Sequence, residues 1–490
     1  MYIGYIYTVI IGFLLFLLLF IRYSRTPIRG GNILENIFIF FAGSFPSVFK
    51  RTKNIVGSIS ECPYQKILLT YNFGNDLTVI KSSKDALELI ERHDSKKEGF
   101  LYTVIGNMFG FSGNLPILDK RDPFYMKNKK KIVEFIYQNF QERFDKVEKI
   151  VDRHLEFDGE HYVKDTIYTM SSEIIMSVIL DIDDPEIADR VNNLYNEIVR
   201  DFKDRPYRYF IPYFKKIPLE KNIIMDRKDL EVEEIIRKQE SKLRDIIGNG
   251  ADGLNCMKVL YFAGFETIAC TLCWALYYIS DNMDLQNSLH DEILNSKEHT
   301  DLKLLKSVIM ETLRLKPPVN VTCRKVDNTE NMFFTYGIHR DPDAWKNPEE
   351  FMCKRFIGAQ QDEWMPFQKG KRQCIGKEFA LHTMVYILSQ ICSKYKMELL
   401  NKDKIYQETQ MVLELKPDIR IRFIKRDSSN KQIKFVSERK IVKYKGNTVD
   451  LSDFKHPGGD IIINGSDVTE SFHSVGHSDH AKKLLEQMIM

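Results

Sequence analysis

The chain lacks an excess of charge of either sign. Its 71 lysine and arginine residues are nearly balanced by 68 aspartate and glutamate residues, which gives a formal net charge of +3 at pH 7. Domains that bind nucleic acid usually carry a clear basic excess, so this balance predicts no nucleic-acid partner. With 43% hydrophobic and 12% aromatic residues, the chain can fill a substantial core, which excludes global disorder.

Cysteine is also scarce, with eight residues among 490. The closest pair, Cys270 and Cys273, lies within an apolar run that predicts a helix. Small secreted domains that depend on disulfides use cysteine far more densely. We therefore predict a reducing compartment in which most of the thiols are buried.

The first 21 residues contain no charged side chain. At about 1.5 Å per residue, a helix of this length just spans a hydrocarbon core of roughly 30 Å. Arg22, Arg25 and Arg29 follow it, whereas a cleaved signal peptide would require a basic start and a cleavage site of small residues. The sequence predicts a single-pass transmembrane anchor over residues 1–22, with the rest of the chain on the cytoplasmic side of a membrane such as the endoplasmic reticulum.

Long amphipathic patterns dominate the residues that follow. Strand-like alternation is confined to short segments, and the sequence shows no internal repeat. This pattern predicts a mainly helical α+β domain over residues 27–424, a polar linker over 425–433 and a small α+β module over 434–490. The helical patterns lie at 131–153, 166–180, 186–203, 226–247, 254–280, 301–316 and 376–395.

The segment PFQKGKRQCIGKEFALHTMVYILSQI, residues 366–391, places one cysteine directly before an amphipathic helix. Cys374 would lie at the helix N-terminus, where the helix dipole and unpaired backbone N–H groups favour its thiolate. Arg372 adds positive charge, Gly370 permits a turn, and Gly376 lets a flat ligand approach the backbone. This is what a thiolate needs to bind a metal axially.

The pattern F-x-x-G-x-R-x-C-x-G in this loop resembles the haem-binding signature of the cytochrome P450 family. The matching residues are Phe367, Gly370, Arg372, Cys374 and Gly376. The resemblance implies the cytochrome P450 fold and a haem b whose iron is bound by the Cys374 thiolate, which favours O–O cleavage. It also implies that Arg372, and Arg324 in the segment VTCRK, reach the haem propionates.

The segment ETLRLKPP, residues 311–318, resembles a second motif of that family. Glu311 and Arg314 are three residues apart, so they share one helix face and can pair. The resemblance implies a buried network that is closed by Arg355 in the segment FMCKRF. These three residues would have a structural role, which is to hold the cysteine loop.

The segment YFAGFETIACTL, residues 261–272, resembles a third motif on a long apolar helix. Ala263 and Gly264 are small, so a flat group and O2 can lie against the backbone. Thr267 can hydrogen-bond a backbone carbonyl and open a local groove, and Glu266 with Thr267 would form a proton route to the haem. A transmembrane helix is the alternative, which Glu266 disfavours.

Two further segments keep two interpretations open. The aromatic segment 205–219, which contains three prolines, is either a loop packed on the body or a loop that dips into a membrane near a substrate entrance. The lysines of YMKNKKK, residues 125–131, form either a solvated basic face or a docking site for an acidic redox partner. Tyr125 and Lys129 occupy the place of the family's Trp-x-x-x-Arg motif.

The C-terminal segment GNTVDLSDFKHPGGDIII resembles the core of the cytochrome b5 family. His456 precedes Pro-Gly-Gly there, and His477 follows in the segment FHSVGHS. The resemblance implies that His456 and His477 ligate the iron of a second haem b. Two imidazoles saturate the iron, which suits electron transfer rather than catalysis.

These resemblances imply a membrane-anchored haem-thiolate monooxygenase, an oxidoreductase, with a fused b5-like electron-transfer module. One atom of O2 would enter an apolar small molecule of the sterol, fatty acid or xenobiotic class. The chain contains no flavin or nicotinamide fingerprint, so NADPH would act through a separate cytochrome P450 reductase. The alternatives are a haem-thiolate isomerase or dehydratase that needs no redox partner, and a non-catalytic haem-binding protein.

Overall fold

A computed structural model describes part of the chain. The described residues are 59, 65–71, 75–92, 100–110, 113–118, 122–137, 140–205, 207–210, 216–326, 329–358, 361–409, 412–426, 441–451, 468, 469, 472 and 479–489. The predicted anchor over residues 1–22 lies outside them, as do most of the predicted linker and both His456 and His477.

Helices make up most of the described residues, which confirms the predicted mainly helical α+β class. In chain order they are α1 Ser83–Arg92, α2 Phe100–Phe109, α3 Pro123–Tyr137, α4 Phe140–His154, α5 Lys164–Ile174, α6 Pro185–Asp204, α7 Tyr207–Phe210, α8 Glu220–Lys238, α9 Lys242–Ile247, α10 Ala251–Ser280, α11 Met283–Asn295, α12 Lys303–Leu315, α13 Thr335–Ile338, α14 Lys377–Lys394 and α15 Asp479–Gln487. A π-helical turn, Ile175–Ile179, extends α5.

The strands form four small sheets. They are β1 Lys66–Tyr71, β2 Asn75–Ile80, β3 Gly159–Tyr162, β4 Thr322–Val326, β5 Thr329–Phe333, β6 Tyr395–Leu399, β7 Tyr406–Thr409, β8 Leu413–Lys416, β9 Arg420–Lys425, β10 Ile441–Tyr444 and β11 Asn447–Asp450. The largest sheet has the order β1-β2-β5-β4, and the others are β3-β9-β6, β7-β8 and β10-β11. Within the largest sheet, β2 and β5 are parallel and β4 and β5 are antiparallel.

The long helix α10 is the centre of the core. It packs against α5, α12, α14 and β8. Among the described residues it is the one helix that is long and apolar enough to cross a membrane, and 78% of its most apolar window is buried inside the protein. Its burial is that of a core helix, and this position sets what its two faces can reach.

Two of the predicted helices were wrong in extent. The pattern at 131–153 is divided between α3 and α4, because the apolar spacing continues from Tyr137 to Phe140 and does not reveal the junction. The pattern at 226–247 is divided between α8 and α9. Ser241 begins the second helix by accepting a hydrogen bond from the Arg244 N–H at 3.2 Å, which is a typical N-cap.

The described part of the C-terminal segment has an apolar cluster of its own. In the hairpin β10-β11, Tyr444 pairs with Asn447 across a two-residue turn. Lys445 and Gly446 in this turn both have positive φ, as a tight hairpin of this kind requires. The cluster consists of Val442, Tyr444, Val449, Val468 and Leu485.

Candidate functional site

Cys374 lies in the loop that precedes α14. Its backbone N–H donates to the carbonyl oxygen of Phe367 at 2.9 Å, and the Gln373 N–H donates to the Gly370 oxygen at 2.9 Å. Gly370 has a φ of +71°, which glycine adopts without the steric penalty of a Cβ atom. The two hydrogen bonds close the loop, and the left-handed glycine lets the chain turn back towards the helix.

Cys374 differs from the other cysteines in its exposure. Of the seven cysteines in the described residues, none forms a disulfide, five are buried, Cys353 is half-buried and Cys374 is exposed. A Cβ atom at Gly376 would lie 3.9 Å from the Cys374 sulfur, so glycine keeps this flank of the sulfur open. An accessible sulfur directly before a helix N-terminus is suited to bind a metal as a thiolate.

The Arg372 guanidinium is buried beside this loop. Its Nη2 donates to the Leu118 oxygen at 2.7 Å, and its central carbon lies 4.8 Å from the centroid of the Tyr125 ring. Its Nη1 is buried and has no hydrogen-bond partner among the described residues. Burying an unsatisfied donor is unfavourable, and a carboxylate of a bound cofactor would satisfy it. This atom therefore fits the predicted contact with a haem propionate.

Arg324 and Arg372 share a buried neighbour that sequence reasoning missed. Arg324 is 1% exposed on β4, and its Nη2 donates to the Lys369 oxygen at 3.1 Å. Burial raises the pKa of Tyr102 on α2, and the charges of both arginines oppose that rise. The charges of both guanidinium groups therefore act on the Tyr102 hydroxyl. Only the packing of α2 against β4 reveals this, because Tyr102 belongs to no motif.

A buried ion network joins α12 to the segment between α13 and the cysteine loop. Glu311 accepts from Arg314 through both carboxylate oxygens, at 2.8 and 2.9 Å, and from the Arg355 Nε at 3.0 Å. The Met352 N–H donates to the same carboxylate at 2.9 Å, and Arg314 also donates to the Pro348 oxygen at 2.7 Å. The structure therefore brings together the three residues that the sequence assigned to a structural network.

Tyr137 contacts the end of the cysteine loop in a way that the sequence did not predict. The Tyr137 hydroxyl on α3 donates to the Ile375 oxygen at 2.9 Å and lies 3.4 Å from the Phe379 N–H, which donates to it. Ile375 follows Cys374 directly, so Tyr137 ties the first turn of α14 to α3. No local pattern distinguishes this tyrosine from the other apolar residues of its helix.

On α10, Ala263 and Thr267 share one face. The Thr267 hydroxyl donates to the Ala263 oxygen at 2.8 Å, and the Thr271 hydroxyl donates to the Thr267 oxygen at 2.8 Å. Hydroxyl groups that bond the carbonyl four residues earlier tend to bend a helix. Ala263 is exposed and Thr267 is half-buried, so this face offers a small side chain and a hydroxyl to a ligand.

Gly264 lies on a different face of α10. A Cβ atom there would come 2.8 Å from Cδ1 of Ile175, in the π-helical turn that follows α5. The absence of a side chain therefore allows α10 and α5 to pack closely. The sequence predicts that a flat ligand lies against this glycine, and that contact stays a prediction.

Glu266 is buried against α5 and β8. It is 3% exposed, and burial together with the negative charge of Glu414 raises the pKa of its carboxyl to about 8. Lys164 and Lys416 oppose this rise. Successive residues of a helix are about 100° apart, so Glu266 and Thr267 occupy different faces. The structure therefore shows Glu266 among charged side chains, and its proton route with Thr267 stays a prediction.

The residues present fit a haem bound by a thiolate. The structure gathers an exposed sulfur, two buried guanidinium groups beside its loop, and a helix face with little side-chain volume. Phe367 supports the loop, because its ring centroid lies 5.9 Å from that of Trp364 in edge-to-face geometry. Such a site can hold a flat, anionic iron cofactor by one sulfur ligand and by ion pairs to its carboxylates.

Comparisons with known proteins agree with this geometry. A family model described as "Cytochrome P450" matches residues 122–423, which is more than half of the chain. The relatives include "Sterol 26-hydroxylase, mitochondrial" of Rattus norvegicus, which is 30% identical over 199 residues that cover 34% of this chain and 37% of the relative. "Lithocholate 6-beta-hydroxylase" of Mesocricetus auratus is 29% identical over 197 residues that cover 34% and 39%. The chain thus matches somewhat more than a third of the length of these relatives.

Proposed function

The chain belongs to the cytochrome P450 family, and we propose that it is a haem-thiolate monooxygenase. In the proposed reaction, one atom of O2 enters an apolar small molecule and the other leaves as water, with two electrons and two protons consumed. The observation that carries this proposal is the Cys374 loop, in which the sulfur is exposed and the buried Arg372 Nη1 has no hydrogen-bond partner among the described residues.

In this proposal Cys374 supplies the iron ligand, and Arg372 and Arg324 hold the propionates. Gly370 and Gly376 shape the loop around the sulfur, and Phe367 supports it from the other side. When bound, the haem supplies the site at which O2 is reduced and oxygen is inserted into the substrate. A thiolate ligand is favoured by the N-terminus of α14 and by the positive charge of Arg372.

The face of α10 would orient the small molecules of the reaction. Ala263 leaves room beside the backbone, Gly264 allows the close packing that holds the helix there, and the Thr267 hydroxyl offers a hydrogen bond. Glu266 holds a proton near neutral pH, because burial raises the pKa of its carboxyl. We assign Glu266 and Thr267 to proton delivery from the protein side.

The substrate is proposed to be apolar, of the sterol, fatty acid or xenobiotic class. The names of two relatives, a sterol hydroxylase and a lithocholate hydroxylase, support the sterol end of this range. Exposed apolar side chains at the start of α8 and just before it support contact with a membrane, from which such substrates are drawn. These are Ile217, Leu219, Ile223 and Ile224.

Electron supply is proposed to involve a separate NADPH-dependent reductase and the C-terminal module. In this proposal His456 and His477 bind a second haem b, and a single-pass anchor over residues 1–22 holds the protein at a membrane. The apolar cluster around Tyr444 supports a folded unit after residue 441. Its electron-transfer role rests on the sequence resemblance.

The test uses the purified full chain with haem, reductase and NADPH. A reduced carbon monoxide complex with the red-shifted Soret band of thiolate ligation is expected, and it should be absent in Cys374→Ser. NADPH and O2 consumption should rise when a sterol, bile acid or fatty acid is added, and an oxygenated product should form. A bound haem that takes up no electrons would support the non-catalytic alternative instead, and product formation without NADPH would support the isomerase or dehydratase.

A second measurement separates the two proposed haems. Low-temperature electron paramagnetic resonance of the ferric protein should show a thiolate low-spin signal that is lost in Cys374→Ala. A separate bis-histidine signal is expected to disappear in His456→Ala and in His477→Ala while the thiolate signal remains. Absence of that second signal in the wild-type protein would refute the b5-like module.

A further inference from the structure

A partly buried group of charged side chains lies beside α10. It contains Lys164 at the start of α5 and two residues of β8, Glu414 and Lys416. The Lys164 Nζ lies 2.8 Å from Glu414 Oε2, and the Lys416 Nζ lies 3.0 Å from the same oxygen. Burial alone would raise the pKa of Glu414, but the two ammonium groups outweigh burial and lower it. Glu414 is therefore ionised at neutral pH.

Glu266 lies on the side of α10 that packs against β8, one turn before Cys270, whose thiol donates to the Leu413 oxygen at 2.9 Å directly beside Glu414. It is 3% exposed, and no hydrogen bond or ion pair joins its carboxyl to another of the described residues. An isolated carboxylate in such surroundings is unfavourable, whereas the protonated acid is tolerated. Burial and the charge of Glu414 accordingly raise the pKa of Glu266 to about 8.

The charge balance of the group favours the same protonation state. Asp418, whose backbone follows β8, accepts from the Lys164 N–H at 3.1 Å. Burial raises the pKa of Asp418 to about 6, so it is mainly ionised at pH 7. Lys164 and Lys416 then balance Glu414 and Asp418, and ionisation of Glu266 would add an uncompensated negative charge.

The other titratable side chains near Glu266 are neutral at this pH. Burial raises the pKa of each of them, so none supplies a charge that would compensate a Glu266 carboxylate. They are Tyr168 on α5 and Tyr261, Cys270 and Cys273 on α10.

A small cavity lies beside this group. Its volume is about 10 Å³, which is room for about one water molecule. Asp418 on its wall is half-buried and so has access to solvent. The lining residues are Lys164, Tyr168, Cys270, Cys273, Leu415 and Asp418.

We propose that Lys164, Glu414, Lys416 and Asp418, here called the proton-loading group, keep Glu266 protonated and restore its proton from solvent through this cavity. The inference rests on the proposed monooxygenase function, in which Glu266 passes the proton to the Thr267 face of α10. Glu266 loses one proton and becomes a carboxylate, and one proton that enters past Asp418 restores the acid. No electrons move in this step. Lys164 and Glu414 act through Glu266 and are positioning residues.

Glu266 directly precedes Thr267 in the chain, so a proton has only a short distance to cross between the two side chains. The carboxyl stands on three rotatable side-chain bonds, so rotation about them carries it from the buried group towards the neighbouring face. The Thr267 hydroxyl is bonded to the Ala263 oxygen at 2.8 Å and can exchange that partner for a proton donor. The backbone of α10 does not need to move.

The test follows the carboxylic acid C=O stretching band of Glu266 by infrared difference spectroscopy of the purified ferric protein. Glu266→Gln assigns the band by removing it. In the wild-type protein the band should titrate with a midpoint near pH 8. Glu414→Gln should lower that midpoint by about one pH unit, a tenfold change in the ionisation constant, because it removes a negative charge.

Lys164→Gln should raise the midpoint, because it removes a positive charge while Lys416 still pairs with Glu414. Both variants break the ion pair between Lys164 and Glu414, so opposite shifts identify a charge effect and exclude a general loss of structure. Glu160→Gln is the matched control, since Glu160 pairs with Arg422 on the neighbouring sheet and should leave the midpoint unchanged. If Glu414→Gln fails to fold, Glu414→Asp keeps the charge and should keep the wild-type midpoint.

The inference is overturned if the wild-type band is absent at pH 7, or if the midpoints of both variants move in one direction. In turnover, the ratio of product to NADPH consumed should fall as pH rises through the midpoint of each protein. A ratio whose pH dependence does not follow these midpoints would also overturn the inference. If the midpoints shift as expected but the wild type shows no substrate-dependent NADPH use, the monooxygenase proposal fails. The inference that the proton-loading group keeps Glu266 protonated would then remain valid.

Discussion

Glu311 accepts two parallel hydrogen bonds from Arg314, at 2.8 and 2.9 Å, and neither side chain has measurable exposure to solvent. Paired N–H donors that match a carboxylate make this one of the stronger protein ion pairs. Arg314 also donates to the His339 oxygen at 2.8 Å, so the pair joins α12 to the segment after α13.

Glu311→Gln should therefore destabilise the protein strongly. The change leaves two buried guanidinium groups, Arg314 and Arg355, without a charged partner, and breaking buried pairs in this way costs about 3–5 kcal/mol. Urea unfolding followed by circular dichroism and by haem release measures the effect. Glu349→Gln is the control, because Glu349 is 72% exposed and pairs with Arg340 at the surface, where a change within about 1 kcal/mol is expected. Equal losses in the two variants would contradict the prediction.

Arg372→Lys should weaken haem retention without unfolding the chain. Lysine keeps the charge but lacks the planar fork that donates to Leu118 and presents Nη1 to a carboxylate. Haem transfer to apomyoglobin should be about tenfold faster, which corresponds to about 1.4 kcal/mol. Lys369→Met removes a charge from the same loop, where the side chain pairs with the exposed Asp362, and should leave the transfer rate unchanged.

Thr267→Val should separate NADPH consumption from product formation. The change removes the hydroxyl on the Ala263 face, so the proposed proton delivery loses its last group on that face. More hydrogen peroxide and less product per NADPH are expected at unchanged haem content. Thr271→Val removes the same kind of bond one turn later at a buried position and should cost about 1 kcal/mol of stability without changing this ratio. Identical ratios in both variants would refute the assignment.

The stability of the wild-type protein should fall relative to Glu266→Gln as pH rises from about 4.5 to about 8. The unfolded chain loses the Glu266 proton in the lower part of this range, while the folded protein holds it until about pH 8, so folding is favoured most below the unfolded pKa. Glutamine mimics the protonated acid and does not titrate. The difference in free energy of unfolding should reach a few kcal/mol, on the order set by burial, and level off above pH 8. Parallel pH profiles for the two proteins would contradict it.

Much of the candidate site could be predicted from short segments of the sequence. The five motif residues between Phe367 and Gly376 lie within one loop and the start of one helix. Their chemistry therefore depends on the local geometry of ten consecutive residues. Glu311 and Arg314 were predictable as a pair because a helix brings residues three apart onto one face. The amphipathic spacing likewise predicted α6, α10, α12 and α14 to within a few residues.

Other features depended on contacts between distant parts of the chain. Helical periodicity says that Glu266 and Thr267 point in different directions, but it does not say what each one meets. Lys164 and Glu414, which determine the charge around Glu266, lie about 100 and 150 residues away on α5 and β8. The packing reason for Gly264 and the carbonyl partner of Arg372 have the same origin.

The sequence by itself determined the family signature, the mainly helical class and the candidate for the thiolate ligand, Cys374, since each depends on adjacent or helically spaced residues. Only the tertiary structure decided that Glu266 is a buried acid influenced by Glu414 and two lysines, that Tyr137 bonds the residue after Cys374, and that Gly264 serves helix packing. The physical reason is that burial and charge are properties of neighbours in space, and those neighbours are set by how helices and sheets pack together.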